Sequence, residues 1–342
     1  MADHARPSPR SGRPTHLTVP DLGVGAGLRV PHYRHVLENE PSVGFFEIIS
    51  ENFMGPGGKP QKRLGEFIER FPIILHGVSL SIGAPEEPDR DYLRALKKLV
   101  RQVQPPWVSD HFCWCGTGGA HLHDLLPLAY TDEVIERIAR RARQIQDYLE
   151  VPFGLENTSS YLTYRRSQYT EWEFIREVCE RADCGLMFDV NNVFVSAYNH
   201  GFDPIEFVRN VPHERILQIH LAGHTNFGDY IIDTHVGPPL PEVLALYQET
   251  IRLCGPVSTL LEWDDRIPPF ERLQEEVDKI FLAREEALTA NYPALQSLTL
   301  RRKQPPTESS GGSGVQGEQG GAHQSDNELP HAEQLAAERT VK

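Results

Sequence analysis

The residues of this chain that could do chemistry are carboxylates, amides and imidazoles that each follow a short apolar run. The runs include FGLENT, GLMFDVNN, ILQIHLAGH and TLLEWD, and each is typical of a strand buried on both faces. Polar residues at the ends of several such strands would point into one shared cavity. The set comprises Glu47, Glu51, Asn52, His76, Asp110, His111, Glu156, Asn157, Asp189, Asn192, His220 and Glu262, with Asp233 and His235 in the loop after the seventh run.

Carboxylates and imidazoles that converge in one cavity indicate a metal site. Mixed histidine and carboxylate donors favour iron, manganese or zinc over magnesium or calcium. The number of carboxylates favours more than one ion, because a carboxylate can bridge two metals. Taken singly, a histidine after an apolar run is more often a hydrogen-bonded core residue, and an aspartate before a helix is more often an N-cap. Six or more such groups in one cavity would be costly without a cation to neutralise them.

Other catalytic schemes fit the sequence less well. No GxSxG motif is present. Cys113 and Cys115 flank a predicted strand end, which leaves a thiol nucleophile as an alternative to two packing cysteines. The third glycine of DLGVGAGLRV (21–30) falls one place early for GxGxxG, and the stretch lacks GK[ST], so close backbone packing is preferred to a nucleotide site.

The elements that would position these residues alternate between strand and helix eight times. The predicted strands cover 21–30, 45–52, 72–83, 106–114, 152–162, 185–198, 215–224 and 257–265, and a helical pattern follows each one. Such alternation predicts a parallel sheet, and eight repeats predict a closed α/β (β/α)₈ TIM barrel in a single domain over 19–295. Helix starts are expected at Thr131 and at Asp203-Pro204. A doubly wound open sheet is the alternative, but it would gather polar residues at one switch point rather than at every strand end.

The ends of the chain and its charge limit the function further. Residues 1–18 are predicted to form a flexible arm without the apolar core of a secretory signal, and 303–342 a disordered polar tail rich in Gly, Ser, Gln and Glu. The net charge of −14 argues against coating nucleic acid, and no apolar run is long enough for a membrane span. Five cysteines without a CxxC pair suggest reduced thiols and a cytoplasmic location.

Eight motifs together resemble a known family. They are HGVSLSIG, SDHFCW, HLHDLLPL, LENTSSY, FDVNNVFVSAYNHG, IHLAGH, DTHVG and LEWD, and the resemblance covers about residues 20–290. In this combination they resemble the multinuclear non-haem iron-dependent oxidative enzymes, the MbnB/TglH family. The resemblance implies a barrel that holds two or three irons of mixed Fe²⁺ and Fe³⁺ state and uses O₂ to oxidise a residue, often cysteine, of a ribosomally made precursor peptide. It also implies a partner protein that delivers the peptide.

The resemblance further implies roles for individual residues. The expected ligands of the first two irons are His76, His111, Glu156, Asp189, His220 and Glu262, with Glu156 or Glu262 as a bridge. Asn192, Asp233 and His235 resemble the surroundings of a third iron, and His111, Glu156 and Asp189 are the expected catalytic residues. Two alternatives remain at this point. One is a divalent-metal sugar isomerase or endonuclease on a similar barrel, and the other is a barrel that only binds metal.

Overall fold

Eight parallel strands close into a barrel in the computed structural model, which describes residues 17–55, 57–298 and 300. The barrel strands are β1 (Val24–Gly27), β2 (Phe46–Ile49), β3 (Ile73–His76), β4 (Val108–His111), β7 (Phe153–Glu156), β8 (Gly185–Asp189), β9 (Ile216–Ala222) and β12 (Ser258–Glu262). Their order around the barrel is β1-β12-β9-β8-β7-β4-β3-β2, and each pairs in parallel with both neighbours. The predicted TIM barrel is therefore confirmed.

Helices return the chain between the barrel strands. They are α1 (Tyr33–Asn39), α2 (Gly58–Ile68), α3 (Arg90–Val103), α4 (Asp132–Leu149), α5 (Glu171–Ala182), α6 (Val190–His200), α7 (Pro204–Asn210), α8 (Pro241–Cys254) and α9 (Phe270–Ala287). Thr131 caps α4 by accepting from the Val134 amide, and Asp203 caps α7 from the Ile205 amide, as predicted. Among the described residues, no helix combines the length and the apolar character that a membrane crossing requires.

The predicted strand over 185–198 is wrong in its second half. β8 ends at Asp189, and α6 begins directly after it at Val190. The Asp189 carboxylate accepts a hydrogen bond from the Asn192 amide at 2.6 Å, so the last residue of the strand is also the N-cap of the helix. The chain thus turns from strand into helix at the rim of the barrel with no loop between them.

Two short antiparallel hairpins decorate the same rim. β5 (Trp114–Thr117) pairs with β6 (Ala120–Leu126), and β10 (Thr225–Asn226) pairs with β11 (Ile231–Ile232). Both lie in connections that leave the carboxyl ends of barrel strands. Apart from Trp114, at the end of the predicted strand over 106–114, neither hairpin was predicted as strand. They extend the wall around the mouth of the barrel.

The inward face of the barrel is apolar at the amino end of the strands and polar at the carboxyl end. Phe45, Ile74, Trp107 and Leu260 form a buried cluster with Leu217 and Leu17. Side chains alternate along a strand, so positions two or four residues beyond these strand members face inward as well. Those positions are occupied by Glu47, His76, Ser109, His111 and Glu262. The polar residues are therefore stacked above an apolar floor.

The beginning of the barrel is closely packed. A Cβ at Gly25 would lie 2.5 Å from the Phe45 carbonyl oxygen, which supports the packing interpretation of the glycine-rich first strand. Leu17, which the predicted arm includes, is fully buried in the apolar floor. The rest of that arm up to residue 16, and the predicted tail over 303–342, lie outside the described residues.

Candidate metal centre

Six of the predicted site residues come together inside the carboxyl end of the barrel. His76, His111, Glu156, Asp189, His220 and Glu262 are the last or nearly the last residues of β3, β4, β7, β8, β9 and β12. None of these residues is more than 6% exposed. Parallel pairing keeps these strand ends level, with His111 opposite Glu156 and Asp189 opposite His220. Six strands thus deliver six donor groups to one buried space.

One group of donors consists of His76, His111 and Glu156. The Nε2 atoms of His76 and His111 lie 3.3 and 3.5 Å from Glu156 Oε2. The other ring nitrogens are fixed from behind, His76 Nδ1 by the Ser109 hydroxyl at 2.9 Å and His111 Nδ1 by the Gly77 carbonyl at 3.0 Å. Both imidazoles therefore turn Nε2 toward the carboxylate.

A second group consists of Glu156, Asp189, His220 and Glu262. His220 Nδ1 lies 3.6 Å from Glu156 Oε2 and 3.2 Å from Glu262 Oε2. Glu156 Oε2, Asp189 Oδ2 and His220 Nδ1 are buried atoms that make no hydrogen bond. Glu156 belongs to both groups, so a single carboxylate oxygen lies between them.

A third group lies nearer the mouth and contains a residue that sequence analysis missed. His235, Glu262 and Asp264 bring donor atoms together, with His235 Nδ1 3.5 Å from Glu262 and 3.2 Å from Asp264. Asp233 Oδ2 lies 3.0 Å from Nε2, the other ring nitrogen of His235. Arg29 donates to Asp264 at 2.6 Å, which places a fixed positive charge here. Asp264 follows Glu262 by two residues, so in an extended chain both side chains point to the same face, and this spacing could have indicated Asp264 as a site residue.

Asn192, the remaining predicted ligand, lies against the first two groups. Its side-chain nitrogen contacts Glu156 Oε1 at 3.5 Å and donates to the Asn157 carbonyl at 3.0 Å. Its Oδ1 is buried without a hydrogen bond. Asn192 is therefore a neighbour of Glu156, while Asp233 and His235 stand together at the third group.

The charges of the site depend strongly on one another. Burial lowers the pKa of His111, but the carboxylates of Glu156 and Asp110 raise it to about 9. Burial raises the pKa of Glu156, but the neighbouring imidazolium charges of His111 and His220 bring it down to about 2. Burial, followed by the charge of Glu156, raises the pKa of Asp189 well above its usual range. Protons must compensate these buried charges wherever no other cation does.

The donor set fits metal ions. Nitrogen and oxygen ligands bond zinc-like metals at about 2.0–2.2 Å, so neighbouring ligand atoms stand roughly 3.0–3.6 Å apart. The contacts around Glu156 Oε2 span 3.3–3.6 Å, and three of the converging atoms lack any hydrogen-bond partner. Imidazole and carboxylate donors without thiolate suit iron, manganese or zinc. The first two groups therefore form a candidate metal-binding cluster joined by Glu156.

Several other residues of the predicted set have structural roles at the rim. Glu51 Oε1 accepts from the Val78 and Ser79 amides and from the Tyr92 hydroxyl, which holds the loop after His76. Asn157 joins the ends of β7 and β8 by exchanging two hydrogen bonds with the backbone of Asp189. These residues fix the strand ends that carry the donors.

The cysteines and two further histidines of this region also pack or brace the wall. Cys113 and Cys115 are buried with their sulfur atoms 3.7 Å apart, as expected of packing cysteines. His200 lies 2.9 Å from the Ser160 carbonyl, and His224 Nδ1 lies 2.8 Å from Asn191 Oδ1. All five cysteines are buried.

Comparison with solved structures confirms the fold. The chain is similar to a xylose isomerase-like TIM barrel protein from Mycobacterium smegmatis in complex with magnesium, with a TM-score of 0.51 and 16% identity over 80% of this chain and 98% of that one. It is also similar to a D-tagatose 3-epimerase-like protein, with a TM-score of 0.50 and 16% identity over 78% and 98% of the two chains. At this identity the likeness describes the barrel alone.

Comparison with other sequences identifies the family. The chain is 50% identical over 256 residues to a UPF0276 protein of Anaeromyxobacter sp. (strain Fw109-5), covering 75% of this chain and 90% of that protein. It is 48% identical over 257 residues to a UPF0276 protein of Caulobacter vibrioides, covering 75% and 92%. The sequence model described as RiPP precursor modification enzyme MbnB/TglH/ChrH matches residues 23–284, which takes in every barrel strand and every donor described above. The chain therefore belongs to the MbnB/TglH/ChrH family of RiPP precursor modification enzymes.

Proposed function

We propose that this protein is an iron-dependent oxidase that uses O₂ to modify a residue, most simply a cysteine, of a ribosomally synthesised precursor peptide. Membership of a family that modifies such precursors supports the substrate class. The observation that carries the chemistry is the carboxylate of Glu156, which is shared by two buried donor groups. A carboxylate between two sets of mixed nitrogen and oxygen donors suits a pair of redox metals.

The two donor groups would hold the ions unequally. His76 and His111 supply neutral donors beside the shared Glu156, whereas Asp189 and Glu262 add two carboxylates to the second group. The second group would therefore favour the more highly charged ion. His111, Glu156 and Asp189 are the proposed catalytic residues, because from three neighbouring strands they line the first position, both positions and the second position respectively. Asn192 stands beside them, and the third position with Asp233 and His235 would be filled last.

Bound iron would supply one-electron redox chemistry and open positions for O₂ and a substrate thiolate. The protein contributes the surroundings. The apolar floor closes the barrel below the donors, so water and substrate would reach them only from the mouth. Exclusion of water strengthens every charge interaction inside the site. Asn192 and Glu51 keep the strand ends in place while the site is loaded.

The mouth of the barrel suits a macromolecular substrate. Exposed apolar and aromatic side chains stand on the loops that leave the carboxyl ends of the strands, namely Leu122, Tyr161, Leu162, Tyr164, Phe227 and Tyr230. Exposed apolar side chains gathered at one end of a protein mark an interaction surface. We assign this rim to the precursor peptide. A partner protein that delivers the peptide, and a cytoplasmic setting where both are made, complete the proposal.

The proposal is tested with protein reconstituted anaerobically with ferrous iron. The substrate is a cysteine-containing precursor peptide encoded beside the gene, added with its encoded partner protein. We expect at least two irons per chain, O₂ consumption that requires the peptide, and a mass change confined to the peptide. Matched samples with magnesium, manganese or zinc should consume no O₂. A protein that retains full turnover with magnesium or manganese alone, or that isomerises sugars, would instead support the alternative of a divalent-metal isomerase.

A further inference from the structure

A column of buried polar side chains runs down the barrel axis from His220. The Trp107 indole N–H donates to Gln218 Oε1 at 2.8 Å, and Gln218 Nε2 donates to Glu47 Oε2 at 2.6 Å. Glu47 Oε2 in turn lies 3.2 Å from His220 Nε2. Trp107, Gln218 and Glu47 are at most 2% exposed, and none of them belongs to a donor group. A carboxylate buried this deeply on the barrel axis requires a function.

The column has a defined direction. An indole nitrogen can only donate, so Trp107 fixes which end of the Gln218 amide is oxygen. The amide nitrogen must then face Glu47, and it does so at hydrogen-bond distance. Glu47 is left with its Oε2 directed at the ring nitrogen of His220. The three side chains therefore present a negatively charged acceptor to one nitrogen of His220.

His220 differs from the other two histidines of the first and second groups. His76 and His111 turn Nε2 toward Glu156, and their Nδ1 atoms are hydrogen-bonded to a serine hydroxyl and a backbone carbonyl. The Asp110 carboxylate lies farther off, 3.8 Å from His111 Nδ1. His220 turns Nδ1 toward Glu156 and Glu262, and it is braced by a carboxylate. A carboxylate behind a histidine ligand fixes the tautomer and makes the ligand nitrogen more basic.

We infer that Glu47 is a positioning residue that holds the proton of His220 at Nε2, so that Nδ1 is free to bind the metal of the second group. Trp107 and Gln218 orient Glu47 for this task. The inference rests on the proposed metal centre, but it does not depend on iron, O₂ or the peptide. It makes His220 a stronger imidazole donor than His76, whose Nδ1 faces only a serine hydroxyl, and it adds a further negative charge behind the group that already holds three carboxylates.

A second hydrogen-bonding arrangement of the column would place the His220 proton on the other ring nitrogen. Gln218 Nε2 also lies 2.9 Å from His220 Nε2, so the amide could donate to a bare ring nitrogen. His220 would then carry its proton at Nδ1, donate it to Glu262, and bind no metal. The two arrangements place the single ring proton of a neutral His220 on opposite nitrogens, which makes them distinguishable by measurement.

The test uses the full chain with ¹⁵N-labelled histidine, loaded with Zn²⁺ alone, which is diamagnetic. In the wild-type protein we expect His220 to show a metal-bound Nδ1 and a protonated Nε2, with the Nε2 proton shifted downfield by the carboxylate. Glu47→Gln should move that proton upfield and weaken Zn²⁺ binding at the second group by about 10- to 100-fold. Glu249→Gln is the matched control, because Glu249 is a fully buried carboxylate on α8 that is held by Arg252 away from the donors. It should change neither readout.

The outcomes separate this inference from the proposed function. A wild-type protein with the His220 proton at Nδ1, or a Glu47→Gln protein with unchanged Zn²⁺ affinity and an unchanged Nε2 proton, overturns the inference and leaves the oxidase proposal standing. The wild-type spectrum decides the tautomer even if Glu47→Gln does not fold. The expected spectrum in a protein that consumes no O₂ with iron supports the column and overturns the oxidase. A chain that binds neither Zn²⁺ nor iron at the second group overturns both.

Discussion

Replacement of Glu156 by glutamine is the sharpest test of a shared carboxylate. Glu156 Oε2 lies 3.3 Å from His76, 3.5 Å from His111 and 3.6 Å from His220, and Glu156 is a member of two donor groups. Glutamine keeps the shape but removes the charge and one acceptor. Both ions should therefore be lost together. Asp189→Asn is the comparison, because Asp189 belongs to the second group alone.

The size of the effect follows from the number of donors that remain. Glu156→Gln leaves two donors in the first group and three in the second. Loss of a residue behind a ligand costs about 10- to 100-fold in metal affinity, so loss of a charged ligand should cost about 100-fold or more at each group. That is about 2.7 kcal/mol per ion at 25 °C. Because bound ions stabilise the folded chain, the unfolding midpoint of the loaded protein should fall by about 10 °C.

The assay is iron content per chain after anaerobic reconstitution and gel filtration, with Mössbauer spectra of the same samples. We expect about two or more irons for the wild-type protein, about one for Asp189→Asn and less than one for Glu156→Gln. The magnetic coupling between irons should disappear in both variants. Glu249→Gln should lose stability and keep its iron. If Glu156→Gln retained coupled irons, or lost only as much iron as Asp189→Asn, the hypothesis that Glu156 is shared by two ions would be wrong.

Three further predictions concern stability and substrate binding. Burial raises the pKa of Glu171 from 4.5 to about 7, so its contribution to stability is present below pH 4.5 and is lost as the pH rises through 7. Glu171→Gln should therefore raise the free energy of unfolding at pH 8 by about 1 kcal/mol and leave it unchanged at pH 4, as measured by urea unfolding. The full pKa shift corresponds to roughly 3 kcal/mol, but the N-terminus of the helix favours the carboxylate and reduces the effect of the substitution. Gly25→Ala should lower the free energy of unfolding by about 1–3 kcal/mol, because the added Cβ would clash with the Phe45 carbonyl oxygen. Gly65→Ala in α2 should instead raise it by about 0.5–1 kcal/mol, because a Cβ there has nothing within 4 Å and alanine favours the helix. Phe227→Ala at the rim should weaken binding of the precursor peptide by about fivefold, measured by calorimetry, with iron content unchanged. Leu282, which is also exposed but lies on α9, is the control, and Leu282→Ala should leave peptide binding unchanged.

Much of the fold follows from the sequence because the barrel repeats one local pattern eight times. Each apolar run and each amphipathic helix was recognisable alone, and parallel alternation leaves few topologies. The ending of β8 was missed because α6 is buried almost all round, from Val190 to Tyr198, so no polar face gives it a helical period. The β5–β6 hairpin did carry a signal, since Gly118 and Gly119 both adopt positive φ at its turn.

The donor residues could be predicted from the sequence, whereas the contacts of the side chains behind them could not. Strand ends in a parallel barrel meet at one rim, so residues such as Glu156 and His220 are brought together by topology alone. Gln218 lies in the middle of an apolar run, and its partner Glu47 is separated from it by 171 residues. No local pattern encodes such a pair. Glu47 belongs to the predicted set, but its place behind His220 and its contact with Gln218 become visible only once the barrel closes.

The balance of charge decides how many ions the site can be expected to hold. The first two groups share four carboxylates and three imidazoles when Glu47 is counted with its neighbours, and no arginine or lysine side chain of the described chain is paired with Glu156 or His220. The third group already has a cation, because Arg29 is bonded to Asp264 and lies 3.8 Å from Glu262. Two unit charges about 4 Å apart interact by about 4 kcal/mol at an effective dielectric constant of 20, and a dication doubles that repulsion. An ion at the third position would have to compete with Arg29 for Asp264, so the pair that shares Glu156 is the part of the centre on which the proposed chemistry depends.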